Sequence, residues 1–193
     1  MSQTKVLAIS GSLRPNGNSE MLLDVFLQEF GRQVPDSCIE KIVLRDIAPC
    51  SGCDYCISGK CIHNDSMQEV YEKIKSASVI VLSAPVYFYG LPSHVKAMID
   101  RCQLFYNMKY RRKEAWRSTP GTGVLLSCGA TEGDRLFLGI SACVRYWFNA
   151  IDFGYAGKVL VRGVDKPGEI KGHPEAFDET MSLARKVASA VGQ

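Results

Sequence analysis

Val6-Leu7-Ala8-Ile9-Ser10-Gly11-Ser12-Leu13-Arg14-Pro15-Asn16-Gly17-Asn18-Ser19 passes from a short apolar run, through a loop of small, hydroxyl and amide residues, into a helical period. Val6 to Ile9 has the length and composition of a strand buried on both faces, and Leu22, Val25, Phe26 and Phe30 share one helical face after Ser19. The alternation continues along the chain. Ile39 to Leu44, Val79 to Leu82, Gly123 to Leu126 and Val159 to Val161 read as further buried strands. Between them lie helical stripes: Met67, Val70, Tyr71 and Ile74 behind a capping box of Ser66 and Glu69; Val95, Met98, Ile99 and Cys102 after Pro92 at a first helical position; and Leu136, Phe137, Ile140, Val144 and Trp147. A last helix starts near Pro174 with the face Phe177, Met181, Ala184, Ala188 and Val191, acidic early and basic late as the helix dipole favours. Five strands alternating with five helices imply an α/β fold: a doubly wound parallel sheet, right-handed crossovers and helices on both faces. The expectation is one domain over residues 1–193, with a cysteine-rich loop at 50–64.

Composition narrows the function classes. With 193 residues, 46% hydrophobic and 22% charged, the chain is long enough for a well-buried α/β core. A net charge of +3 is too small by itself to indicate a nucleic-acid partner, and no apolar stretch approaches a membrane span. Met1-Ser2-Gln3-Thr4-Lys5 leads directly into the first strand without the parts of a secretory leader, so a cytoplasmic protein is expected.

In a doubly wound sheet, ligands bind outside the carboxyl ends of the strands. Ser10 to Ser19 is such a loop, and it suits an anion: backbone N–H groups and the dipole of the following helix favour phosphate, Ser10, Ser12, Asn18 and Ser19 add side-chain donors, and Arg14 adds charge. Gly11 and Gly17 are too far apart for G-x-G-x-x-G, and Asn18 stands where a P-loop needs lysine, so a monophosphate fits better than a dinucleotide or a triphosphate. A mere polar turn is the alternative reading. After the third strand, Pro85-Val86-Tyr87-Phe88-Tyr89-Gly90 offers an aromatic shelf for a planar ring, unless these rings complete the core or a subunit interface. After the fourth, the small-residue loop Ser127-Cys128-Gly129-Ala130-Thr131-Glu132-Gly133 lets a ring approach the backbone. Phosphate loop, aromatic shelf and glycine loop together describe a cradle for flavin mononucleotide.

Cys50-Ser51-Gly52-Cys53-Asp54-Tyr55-Cys56-Ile57-Ser58-Gly59-Lys60-Cys61 packs four of the eight cysteines into twelve residues. C-x2-C-x2-C with a fourth cysteine shortly after is iron–sulfur spacing; structural zinc more often uses two separated pairs. In a reducing compartment clustered thiols bind metal or react rather than cross-link, which leaves an iron–sulfur cluster, zinc and metal-free thiols as the readings. Cys38, Cys102, Cys128 and Cys143 are scattered singly, three of them in apolar surroundings that suit small hydrophobes.

The phosphate loop from Gly11 to Ser19, the Cys50 to Cys61 run followed by Asp65-Ser66-Met67, Pro85-Val86-Tyr87 with Lys96, Asp100 and Arg101 downstream, and Gly168-Glu169-Ile170 together carry a family resemblance. The chain resembles the flavodoxin-like NAD(P)H-dependent FMN reductase superfamily and, within it, the iron–sulfur flavoprotein branch. The resemblance implies strand order 2-1-3-4-5, FMN at the C-terminal edge and assembly into homodimers or homotetramers. The cofactor-binding candidates are Ser10, Ser12, Arg14, Asn16, Asn18 and Ser19 at the phosphate, and Pro85, Val86, Tyr87, Phe88, Tyr89, Gly90, Cys128 and Gly129 around the isoalloxazine. Cys50, Cys53, Cys56 and Cys61 would ligate a [4Fe–4S] cluster.

In such a protein the flavin carries the chemistry and no catalytic acid or base is required. The first expectation is an FMN-dependent electron-transfer oxidoreductase with a [4Fe–4S] cluster, drawing on a ferredoxin-like carrier or NAD(P)H and reducing a small-molecule acceptor. The alternatives are a cluster-free NAD(P)H-dependent FMN or quinone reductase and a non-enzymatic, zinc-stabilised binding module. Lys109 to Arg117, with five basic residues, reads either as a dock for an acidic carrier or a nicotinamide phosphate, or as a solvated loop.

Overall fold

A computed structural model describes residues 3–191. Five parallel strands, β1 (Lys5–Ser10), β2 (Cys38–Val43), β3 (Val79–Pro85), β4 (Gly121–Cys128) and β5 (Phe153–Val161), form one sheet in the order β2-β1-β3-β4-β5. The helices are α1 (Asn18–Gln33), α2 (Met67–Ser76), α3 (Ser93–Arg101), α4 (Gln103–Tyr106), α5 (Leu138–Ala150) and α6 (Pro174–Val191).

The period of two along each strand sorts the core into two layers. Leu7, Ile9, Ile80, Leu82, Ala84 and Leu125 point to one face, where they meet Met67, Ile74, Met98, Phe105, Ile140 and Phe148 from α2 to α5. Val6, Ala8, Val79, Val81, Val124 and Leu126 point to the other, against Leu22, Leu23, Phe26 and Phe30 of α1 and Leu183, Ala184 and Val187 of α6. Each fully buried side chain of this size contributes about 1.5–3 kcal/mol.

Five sequence expectations are corrected. β2 is not buried: as the edge strand it has a neighbour on one side only, Ile39 and Val43 are exposed, and the edge is blunted by ion pairs of Lys41 with Glu20 and Asp24 and of Glu40 with Lys73. The capping box at Ser66 does not form; Ser66 donates its hydroxyl to the Arg45 carbonyl, and Asp65 Oδ1 accepts from the Met67 N–H instead. Pro92 is the cap of α3 rather than its first residue. The buried face of α6 runs through Ala176, Thr180, Leu183, Ala184, Val187 and Ala188, leaving Phe177 and Met181 half-buried, and that of α1 takes Leu23 in place of Val25. Glu29, buried between these helices, accepts from Arg185 Nε at 2.7 Å.

The parallel register aligns the strand ends. Ser83 pairs with Ser10, and Cys128 pairs with Pro85 and with Val161, so the loops after β1, β3, β4 and β5 emerge along one edge of the sheet.

Candidate functional site

At that edge a cleft of about 140 Å³ is lined by Ser12, Arg14, Gly17, Asn18, Ser19, Pro85, Val86, Tyr87, Cys128, Gly129, Ala130, Val164, Asp165 and Pro167. Its floor is the N-terminus of α1. Gly17 stands at the cap with extended backbone, and no side chain caps the first-turn N–H groups, which are the donors an anion binds. The loop before it closes on itself: the Ser12 hydroxyl bridges the Arg14 backbone, and the Gly17 N–H donates to the Arg14 carbonyl. A Cβ on Gly17 would lie 2.5 Å from Ser12 Oγ, so a side chain there must displace the Ser12 hydroxyl from its bridge.

Two expected donors are otherwise engaged. Ser10 is fully buried, with its hydroxyl toward the Ser12 carbonyl, and does not line the cleft. The Asn18 amide is spent on the loop after β5: Nδ2 donates to the Lys166 carbonyl, and Oδ1 accepts from the N–H groups of Gly168 and Ile170. Its side chain thus fastens a third loop to the first. Asn16, with φ +55°, faces a neighbouring groove together with Met21, Gly168 and Phe177 rather than this cleft.

The aromatic segment divides. Pro85, Val86 and Tyr87 line the cleft. Tyr87 and Gly90 bridge each other across a tight turn whose central residues, Phe88 (φ +48°) and Tyr89 (φ +61°), both lie in the left-handed region. That region is costly for bulky residues. Phe88 projects wholly into solvent, while Tyr89 turns its hydroxyl over Gly133. Opposite, burial pushes the Cys128 thiol up to about 12, so this wall is uncharged at neutral pH. Gly129 is held between strands by its N–H to the Val161 carbonyl, and a Cβ there would meet Leu136 at 2.7 Å. Sequence reasoning missed Val164, Asp165 and Pro167. The signal was available, because the loop after the last strand leaves the same sheet edge as the others.

The cysteine segment forms a separate feature. Its neck is a buried ion pair: Arg101, with its side chain 1% exposed, donates from Nη1 and Nη2 to Asp65 at 2.9 and 3.0 Å and from Nη1 to the Ala48 carbonyl. The Ala48 N–H closes the ring on Asp65 Oδ2 at 2.9 Å. Between these ties the chain turns through left-handed residues at Gly52, Asp54 and Gly59. The four sulfurs do not meet as the spacing led us to expect; among the described residues no three metal-ligating side chains gather. Cys50 and Cys53 are exposed, and Cys56 and Cys61 are half-buried. Burial raises the Cys56 thiol above its ordinary value, while Asn107 donates to its sulfur. Hydrogen bonds from the Tyr55 backbone and Ser51 hold the Cys53 thiol below its ordinary value. Soft donors beside N–H groups fit a thiolate-ligated metal.

Of the five basic residues in 109–117, three serve the fold. Lys109 pairs with Asp152, Arg112 with Glu114 while lying against Gly59, and Arg117 donates to the Ala77 carbonyl. Arg111 and Lys113 are exposed. Among the described residues no helix is long and apolar enough to cross a membrane.

The family model described as "NADPH-dependent FMN reductase" matches residues 4–154. The chain is 29% identical over 197 residues to an iron–sulfur flavoprotein of Methanocaldococcus jannaschii, covering 97% of each chain. It is 25% identical over 189 residues to an iron–sulfur flavoprotein of Archaeoglobus fulgidus, covering 96% of this chain and 80% of the relative. Among solved structures, an azoreductase from Bacillus anthracis superimposes with a TM-score of 0.66 at 16% identity, covering 96% of this chain and 99% of that one, a likeness of fold.

Proposed function

Because the chain belongs to the NADPH-dependent FMN reductase family, we propose that this flavin-dependent oxidoreductase holds FMN in the cleft at the sheet edge and a [4Fe–4S] cluster on Cys50, Cys53, Cys56 and Cys61. The observation that carries the reading is the uncapped N-terminus of α1 facing a cleft walled by Pro85 to Tyr87 on one side and Cys128 to Gly129 on the other. When bound, FMN exchanges electrons in pairs or singly and the cluster exchanges them singly.

The chain's own residues supply binding and electrostatics. The first-turn N–H groups of α1, with Ser12, Ser19 and Arg14, take the phosphate. Asn18 acts through its hold on the loop at 166–170, which closes that side of the cleft. Pro85, Val86 and Tyr87 cover one part of the ring, and the neutral Cys128 thiol keeps the opposite wall free of charge. No side chain is needed to move a proton. Phe88, Leu13 and Leu138 leave exposed apolar surface that suits a small planar acceptor or a second copy of the chain in a homo-oligomer. Arg111 and Lys113, beside the cysteine loop that Arg112 touches at Gly59, suit an acidic one-electron carrier such as a ferredoxin.

The relatives' name and the cysteine spacing support the cluster. A second reading, a cluster-free NAD(P)H-dependent reductase, draws on the exposure of Cys50 and Cys53 and the absence of a gathered metal-ligand group among the described residues. Protein purified without oxygen and assayed on one sample for flavin, iron and zinc decides between them. Flavin with about four irons per chain, lost on Cys53→Ser, supports the first reading. Flavin without iron, with steady NADPH oxidation, supports the second, and no flavin in either form refutes both.

A further inference from the structure

The residue that opens the phosphate loop is held at both of its backbone polar groups from outside the loop. The Gly11 N–H donates to the Ser83 carbonyl at 2.6 Å. The Gly11 carbonyl lies 3.0 Å from Nε2 of His94, 83 positions away in the first turn of α3. A carbonyl only accepts, so this nitrogen carries the hydrogen and the imidazole donates. The loop is pressed against its support: a Cβ on Gly11 would meet Val95 Cγ2 at 2.6 Å and Ala84 Cβ at 3.0 Å. His94 is half-buried and does not line the cleft, whereas Ser12, the residue after Gly11, does. A peptide unit is planar and trans, so the carbonyl of one residue and the N–H of the next point in opposite directions. Drawing the Gly11 carbonyl toward α3 therefore turns the Ser12 N–H away from α3. Ser12 is 8% exposed, yet that N–H donates to no backbone carbonyl among the described residues. A buried N–H without a partner is costly, and an anion in the cleft supplies one. The orientation needs fixing from outside, because a glycine peptide rotates more freely than any other.

Resting on the reading of this cleft as the FMN phosphate site, we propose that His94 is a positioning residue for flavin selection: by holding the Gly11 carbonyl it aims the Ser12 N–H at the phosphate. The bond it fixes exists only for a phosphorylated flavin, so His94 favours FMN over riboflavin from behind the loop, without touching either.

The test is the affinity of the flavin-stripped protein for FMN and for riboflavin, each read by quenching of flavin fluorescence. His94→Phe keeps the ring and removes the donor; His94→Gln places an amide N–H the same number of bonds from the backbone as the imidazole Nε2. The proposal expects His94→Phe to lower FMN affinity at least about tenfold while riboflavin affinity changes less than about threefold. His94→Gln should recover FMN affinity to within about threefold of the unmodified protein. An unchanged FMN-to-riboflavin ratio in His94→Phe overturns the proposal, and so does a loss that His94→Gln does not recover. If His94→Phe does not fold, amide NMR of the unmodified protein decides: the Ser12 N–H should move downfield with FMN and not with riboflavin, and an equal response to both overturns the proposal. An unmodified protein that binds neither flavin, or binds both equally, overturns the cleft reading and this proposal together.

Discussion

Replacing Asp65 by Asn strikes the neck of the cysteine loop, and its cost can be worked from the geometry. Asp65 accepts from both Arg101 nitrogens, from the Ala48 N–H and from the Met67 N–H, and Arg101 lies 1% exposed beneath it. These bonds, the guanidinium's first, hold the carboxyl down from 3.8 to about 2. A carboxyl pKa lowered by folding contributes stability that is complete above the unfolded value and is lost as the pH falls through the folded one. At about 1.4 kcal/mol per pH unit, the gap of nearly two units is about 2 kcal/mol, lost between about pH 4 and pH 2. The variant pays more at neutral pH, because it leaves a buried guanidinium without its counter-charge, a loss of about 3–5 kcal/mol. Urea unfolding followed by tryptophan fluorescence, at neutral pH and in steps down to about pH 2, measures both quantities. The native protein should lose about 2 kcal/mol more than Asp65→Asn over the acid window, since other carboxylates such as Glu29 are common to both and cancel. Parallel pH profiles, or a neutral-pH difference under about 1 kcal/mol, would refute the account of Arg101 and Asp65 as a buried clasp.

Three further outcomes are expected. Phe88→Gly should raise stability by about 1 kcal/mol in urea unfolding, because Phe88 buries nothing and sits at φ +48°, where glycine is unstrained. Gly17→Ala should weaken FMN binding by at least about tenfold in a fluorescence titration with stability changed by less than about 1 kcal/mol, since the new methyl meets Ser12 Oγ at 2.5 Å while the backbone φ of −62° accepts alanine. In metal-stripped protein, iodoacetamide at neutral pH should label Cys53 first, its thiol being lowered by hydrogen bonds, and should spare Cys102 and Cys128, both pushed up to about 12 by burial; peptide mass spectrometry reads the order.

The alternation of apolar strand runs with helical stripes was enough to read the class, because the two periods, two and 3.6, are local properties that each segment writes into its own side chains. The Ser10 to Ser19 loop and the cysteine run were legible for the same reason: anion binding and thiolate ligation need particular residue types at short spacing. Which members of those motifs do what was settled only by distant partners. Asn18 reads as a phosphate donor until the loop at 166–170 takes its amide, Ser66 reads as a cap until the Arg45 carbonyl claims its hydroxyl, and β2 reads as buried until the strand order puts it at the edge. Arg101 closing the cysteine loop at Ala48 and Asp65, and Asn107 reaching Cys56 from a π-turn, leave no trace at short range. The sequence fixes what each segment can form, since propensity and spacing act over a few residues. Tertiary packing decides which polar groups are left free to bind a ligand, since a hydrogen bond spent on a partner fifty or a hundred and fifty residues away is invisible until the chain has folded.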